Sequence, residues 1–556
     1  MLRITEIKLP LITSAETGHT DAEIRAALVK KLAINATDII SFSIFKRGVD
    51  ARKSHAILFV YSLDVLVNGE AKLLAKLAKD PHVKPTPDTD YKFAATILPP
   101  PQPSPLNGEG VKAKSRPVIV GFGPAGIFAA LILAQAGFKP IVLERGKAVR
   151  ERTKDTFNFW RKSELSPESN VQFGEGGAGT FSDGKLWSQI KDPKHYGRKV
   201  LQEFVAAGAP PEIMYVSHPH IGTFRLVGMV ETMRKSIELL GGEIRFESRV
   251  DDIEIANGEI KGVVLTSGER IATNHLVLAV GHSARDTFEM IYKKGIYVEA
   301  KPFSIGFRIE HPQSLIDRAR YGNSYSEDLL SKLGSAEYKL VHHASNGRSV
   351  YSFCMCPGGT VVASASETGC VVTNGMSQYS RNERNANAGI VVGITPEVDY
   401  PDNPLAGMAL QRELESNAYV LGGSNYAAPA QLIGDFLANK PSSQFGEVLP
   451  SYTPGVHLTN LDAALPEFAI SAIREAIPQF AKQVRGYDLD DGLLTGVETR
   501  TSSPIRIKRD DETLESINTK GLYPCGEGAG YAGGILSAGV DGIRVAEMVS
   551  LSLSKV

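Results

Sequence analysis

The chain has 556 residues, with 61 Lys and Arg against 62 Asp and Glu and a formal charge of −1. That length holds about three or four domain-sized units, and the charge balance excludes a global basic field that would recruit nucleic acid or an anionic membrane. No apolar run reaches the roughly 18 residues needed to span a bilayer, four cysteines make no disulfide framework, and the alternating N-terminus reads as a strand rather than a signal peptide, so the expected location is the cytoplasm.

Residues 1–97 read as a compact module. Ile4–Leu11 alternates like a strand, Thr20 and Glu23 form a capping-box pattern opening a helix through about Leu32, 39–45 and 55–67 alternate as strands, and 70–77 is a second helix. This β-α-β-β-α order predicts a ferredoxin-like α/β module. Lys46, Arg47, Arg52 and Lys53 cluster around the turn between two strands. With no aromatic residues interleaved to stack on bases, they read as a solvated hairpin rather than an RNA surface. A Pro-, Gly- and Lys-rich linker, 98–115, follows.

Pro117 to Gly146 reads as a buried strand, a glycine turn, a helix, a second strand and an acid. Gly121 permits the tight turn, Gly123 lets the backbone approach a pyrophosphate, and Gly126 lets the helix pack closely on the sheet, with Pro124 and Ala125 opening the helix between them. The helix N-terminus attracts anions through its unpaired N–H groups and its dipole. Glu144, 18 residues after Gly126, is placed to accept hydrogen bonds from an adenosine ribose, with Arg145 beside it. The expected ligand is an adenine dinucleotide, and Glu144 argues against a 2′-phosphate.

Three later segments bear on which dinucleotide. The loop 174–184, GEGGAGTFSDG, has no cysteine and offers a second phosphate or flavin cradle, with Gly177 and Gly179 as candidate contacts; its alternative reading is a flexible surface loop. Between 243 and 281, Asn257-Gly258 and Ser267-Gly268 mark hairpin turns in a three-stranded meander closed by an apolar strand, 276–280. Residues 521–547 carry a strand ending at Gly526-Glu527, then a glycine-rich turn into a helix starting near Gly534 and Ile535.

These features resemble the three FAD contacts of the glutathione-reductase-like flavoprotein superfamily. Stretches 170–186, 301–317, 354–359, 499–507 and 526–542 are similar to a little-characterised family of FAD-dependent dehydrogenase-like (NAD(P)/FAD-dependent oxidoreductase) proteins. The resemblance implies a discontinuous, three-layer Rossmann-type FAD-binding domain over 116–300 and 485–556, with an inserted α+β substrate-side domain over 301–484. It implies that Gly121, Gly123 and Gly126 hold the pyrophosphate, Glu144 the ribose and Val250 the adenine through its backbone. Gly281 would pass close to the dinucleotide, Gly526 and Glu527 would meet the ribityl-phosphate end, and the helix after Gly534 would aim at the pyrimidine end of the flavin. The superfamily more often has Asp where Glu527 stands.

No second GxGxxG follows a strand in the middle of the chain, so electrons are expected from the substrate itself or from a transiently bound NAD(P)H. Catalytic residues are not identified. Cys354 and Cys356 alternate with Phe353 and Met355 on one strand, which reads as core filling before redox chemistry. His342 and His343 lack a zinc spacing relative to them, and no metal is expected. Arg308 and Arg506 are each a substrate-carboxylate binder or an ion-pair partner, and His282 a flavin donor or a strand end. The reading is an FAD-dependent oxidoreductase moving a hydride to or from an unidentified small organic substrate. The alternatives are an NAD-linked dehydrogenase using the same first loop, and a flavin sensor or RNA-associated protein acting through the N-terminal module.

Overall fold

The computed structural model describes residues 1–11, 18–53, 56–97, 116–322 and 326–555; the 98–115 linker lies outside the described residues. The N-terminal module has the element order β-α-β-β-α-β, with one sheet ordered Ile39–Asp50, Leu58–Val67, Leu2–Pro10, Val83–Pro85, the ferredoxin-like arrangement. Its first helix, Asp21–Leu32, starts where the capping box places it: Thr20 N donates to Glu23 Oε2 at 2.7 Å, and Glu23 N to Thr20 Oγ1 at 3.3 Å. Leu2, Ile4, Ile24, Leu28, Leu63 and Val65 form its core. Lys46 and Arg47 lie within the strand Ile39–Asp50 rather than in the turn. There the Arg47 N–H donates to the Tyr215 carbonyl at 2.6 Å, its carbonyl accepts from Ser217 N at 2.9 Å, and the module docks on the rest of the chain through this edge. Arg52 pairs with Asp50.

The dinucleotide unit is built on a parallel sheet ordered Leu522–Pro524, Leu276–Leu278, Val118–Val120, Ile141–Leu143, Glu243–Arg245. Successive side chains of a strand face opposite sides, and these short apolar strands use both. Ile119, Val142 and Val277 pack against the helices Pro124–Gln135 and Ile535–Ser554. Val118, Val120, Leu143, Leu276 and Leu278 pack against the antiparallel meander Val250–Ala256, Glu259–Leu265, Arg270–Ala272. Helices, sheet and meander make three layers.

The second large unit is a sheet ordered Val341–His343, Ser349–Cys356, Asn385–Ile394, Phe303–Pro312, Leu493–Glu498, Ala428–Leu432, Val456–Leu458. Phe303–Pro312 is buried almost throughout because both faces are covered. Ile470, Ile473, Ile477 and Phe480 of the helix Glu467–Ala481 belong to the same core, and the ribbon Gly359–Ala363 with Thr373–Ser377 packs against the sheet as well. One boundary differs from the sequence reading. Leu493–Glu498 pairs with Phe303–Pro312 and Ala428–Leu432, so this strand, beyond the expected return near Arg485, still belongs to the seven-stranded sheet. Local patterning marks an apolar strand there but not its partners, which are remote in sequence.

Candidate functional site

A cleft of about 450 Å³ runs from the first glycine turn to the wall of the seven-stranded sheet. Its first end is built at Gly121, whose φ of +98° suits glycine and where a β-carbon would overlap the Ala279 carbonyl. The helix Pro124–Gln135 then begins at Gly123 with no side-chain cap, and its first turn opens on the cleft at Gly123, Pro124 and Ala125. Gly126 does not line the cleft; a β-carbon there would overlap the Gly121 carbonyl, so its role is to seat the helix on the turn.

Glu144 ends the strand Ile141–Leu143, and its buried carboxylate accepts from Phe122 N at 2.8 Å and from Gly146 N and Gly174 N at 2.9 Å. It thereby ties the first glycine turn to the second. It lines the cleft with Arg145, Arg249 and Val250. Arg145 sits 4.1 Å over the Phe173 ring and pairs with Glu168 and Asp286.

The 174–184 loop is not a surface loop. Arg152, with no solvent exposure, donates to the carbonyls of Asn170, Val171 and Glu175 at 2.7 Å and of Gly177 at 2.9 Å. Burial pulls its pKa down to about 10, with Glu144 and Glu175 opposing, so it stays charged at neutral pH. A β-carbon at Gly177 would lie 2.9 Å from Gly123 Cα; the two glycine turns meet backbone to backbone, and Gly177 and Gly179 line the cleft. Sequence reasoning missed Arg152. The signal was present, since Val149, Arg152, Thr156 and Phe159 fall on one helical face that is otherwise apolar or small.

At the far end the helix Ile535–Ser554 starts at Gly534, again without a side-chain cap. Gly534 and Ile535 line the cleft with Gly281, His282 and Glu527. The His282 Nδ1 is 3.3 Å from Glu527 Oε1, while its Nε2 is buried and has no protein partner among the described residues. Gly526 faces away: its N–H donates to Asp541 Oδ2 at 2.8 Å, and Asp541 also grips the buried Arg509 at 2.6 Å. Asp541 and Arg509 are a second pair that sequence reasoning missed.

The opposite wall comes from the seven-stranded unit and includes Cys354, Met355, Asn374, Glu498 and Arg500. Arg308, fully buried, donates to Glu498 at 2.7 and 3.1 Å, to the Cys354 carbonyl at 2.9 Å and to Asn374 at 3.1 Å. It is an ion-pair partner, committed to Glu498. Burial pushes Glu498 up to about 7, with Arg308 only partly offsetting it. Arg500 and Arg285 both grip Glu415, each with a contact at 2.7 Å. Burial opposes the Glu415 charge, but the two guanidinium groups outweigh it and hold the carboxyl at about 2. Glu367, Cys370 and Glu415 lie within metal-binding distance of one another, yet both carboxylates are taken by arginines. Arg506 lies outside the cleft, under Tyr531. His342 pairs with Glu475, and His343 contacts Ser349.

Residues 302–501 match a family described as FAD-dependent protein, C-terminal domain-like, and residues 1–66 match a domain of unknown function. An uncharacterised protein of Clostridium beijerinckii is 48% identical over 523 residues, covering 94% of each chain. The chain belongs to the family of that clostridial protein. Its cofactor is FAD. Among solved structures, a mutant of the halogenase PltM in complex with FAD is 10% identical with a TM-score of 0.37, over 80% of this chain and 70% of that one. L-proline dehydrogenase from P. horikoshii is 12% identical with a TM-score of 0.32, over 79% and 94%. Likenesses at this level say nothing of the reaction.

The residues present fit FAD. Two glycine turns meet with no side chain between them, two uncapped helix N-termini open on one cleft, and a carboxylate stands at the end of the second strand. At Gly533 and Gly534 a β-carbon would meet nothing within 4 Å, which leaves room for a ring. Among the described residues, no helix is long and apolar enough to cross a membrane.

Proposed function

We propose that this protein is an FAD-dependent oxidoreductase that moves a hydride between its flavin and a small organic substrate held against the wall of the seven-stranded sheet. The observation that carries the reading is the continuity of one cleft from the glycine turns, past the N-terminus of Ile535–Ser554, to a polar wall supplied by the other unit. In this reading Gly121, Gly123, Pro124, Ala125, Gly177 and Gly179 surround the pyrophosphate. The unpaired backbone N–H groups of the first turn of Pro124–Gln135 donate to it, while Gly121, Pro124 and Gly177, which have no free N–H to give, shape the space around it. Glu144 takes the adenosine ribose, and Arg145 and Val250 flank the adenine. Gly281 and Glu527 meet the ribityl end, and Gly534 and Ile535 face the pyrimidine end, where a helix dipole stabilises negative charge. Gly126 and Gly526 act indirectly, by seating the helix and by holding Glu527 through Asp541.

When bound, the flavin supplies the two-electron chemistry. The protein's part is positioning and proton control. Glu498, poised near neutrality on the wall, is the group suited to holding or releasing a proton at a substrate. Arg308 fixes its orientation, and Arg500, anchored on Glu415, closes the polar wall beside it. With no GxGxxG following a strand between 301 and 484, electrons enter from the substrate or from a transiently bound nicotinamide. The test is anaerobic: purified holoprotein is mixed with candidate reductants, NADH and NADPH included, and the flavin absorbance is followed. Bleaching by one class of donor, slowed about a hundredfold or more in Glu498→Gln, supports the reading. Bleaching that Glu498→Gln leaves unchanged removes Glu498 from it.

A further inference from the structure

Four cysteines are present, and one of them sits in a different environment from the rest. Cys370 and Cys525 are buried, and burial pushes both thiols up, Cys370 to about 11. Cys354 is partly exposed and lines the cleft. The strand Ser349–Cys356 does not continue evenly to its end: its register against Asn385–Ile394 shifts between Phe353 and Cys356, and Cys354 adopts a left-handed φ of +42°. A residue with a β-carbon resists that conformation by about 1–2 kcal/mol. A plain core-filling position has no need of it. Cys356 is fully buried, and its thiol donates to the Cys354 carbonyl at 3.3 Å.

The same irregularity collects positive charge. Arg308 donates to the Cys354 carbonyl at 2.9 Å, and the Lys185 ammonium to the Met355 carbonyl. The neighbouring Cys356 thiol, together with the Lys185 and Arg308 charges, holds the Cys354 thiol well below its usual range, while Cys354 and burial push the Cys356 thiol well above its own. The surroundings thus favour the thiolate at Cys354 and the proton at Cys356, the division expected of an attacking and a resolving thiol. Residues i and i+2 of a strand lie within the roughly 7 Å between Cα atoms that a disulfide tolerates.

We propose that Cys354 and Cys356 are a dithiol/disulfide couple that exchanges two electrons with the flavin, which makes the substrate class of this cleft a thiol or a disulfide. This rests on the flavin lying in the cleft as read above. In the oxidising direction the Cys354 thiolate and the Cys356 thiol lose two electrons and form the S–S bond. The bound flavin would supply the acceptor for that electron pair and for the proton that leaves Cys356. Thiol–disulfide exchange at Cys354, the cysteine that lines the cleft, then passes the oxidising equivalent to two substrate thiols, which leave as a disulfide while both cysteines regain their reduced state.

The test is an electron count on the air-oxidised holoprotein, by anaerobic dithionite titration, with a non-reducing peptide map of the same sample. The expected result is twice the electrons per flavin that the flavin alone takes up, and a peptide in which Cys354 and Cys356 are linked. Cys354→Ser and Cys356→Ser should each keep their flavin and fall to the flavin's own electron pair. A flavin-loaded wild type that takes up only the flavin's own pair, with both cysteines open to alkylation, overturns the couple and leaves the flavin reading intact. A protein that holds no flavin overturns both together.

Discussion

Arg152 donates to the Gly177 carbonyl at 2.9 Å from a position with no solvent exposure, so a helix residue sets the shape of the second glycine turn. The same guanidinium satisfies the carbonyls of Asn170, Val171 and Glu175. A loop rich in glycine has the most chain entropy to lose on ordering, and here one five-donor fork offsets much of that loss.

Replacing Arg152 by Ala should therefore cost about 3–5 kcal/mol, since several buried carbonyls lose their donor at once, and FAD should be lost from the purified protein. Arg152→Lys keeps the charge but not the fork and should fall between the two. Denaturation midpoints and flavin content of the three proteins check this. Equal flavin content in all three would mean that the loop holds its shape without the fork.

Gly534→Val places a branched side chain into space that is open in the cleft. FAD binding should weaken by about tenfold or more, equivalent to about 1.4 kcal/mol, or the reduction potential of the retained flavin should fall as the helix N-terminus is held away from the ring. Gly228→Val, at an exposed position that likewise has nothing within 4 Å, should change neither. Flavin content and potential of both variants are the measurements, and wild-type values for Gly534→Val would remove that helix from the flavin.

Two buried glutamates should give opposite slopes of stability against pH. Glu498 rises from 4.5 to about 7 on folding, so the folded state binds its proton more tightly. Stability should fall as pH rises from about 4.5 to 7, by on the order of 3 kcal/mol. Glu415 is lowered from 4.5 to about 2, so its contribution is present above 4.5 and is lost as pH falls towards 2. Denaturant midpoints of the wild type and Glu498→Gln across this range separate the two. The neutral-side slope should flatten in the variant and the acid-side loss should persist.

Much of the dinucleotide unit was legible because its signals are local: a glycine that no other residue can replace at Gly121, short apolar strands that bury both faces, a terminal acid at Glu144. The capping box at Thr20 is local in the same way. What escaped was non-local or conformational. Leu493–Glu498 reads as an apolar strand anywhere, and only pairing with Phe303–Pro312 assigns it to its sheet. Cys354 and Cys356 look like alternating core residues until the register shift separates their environments. Asp541 lies on the buried face of an apolar helix, where a charge implies a partner, but nothing in the local pattern points to Arg509.

The most direct measurement is the identity of the nucleotide released when the purified, yellow holoprotein is denatured. The proposed pyrophosphate site at Gly121, Gly123 and Gly177, with Glu144 proposed for the adenosine end, predicts FAD, bound one per chain and absent when Glu144 is replaced by Ala. Release of FMN, or a colourless protein that added FAD fails to reconstitute, would contradict the account.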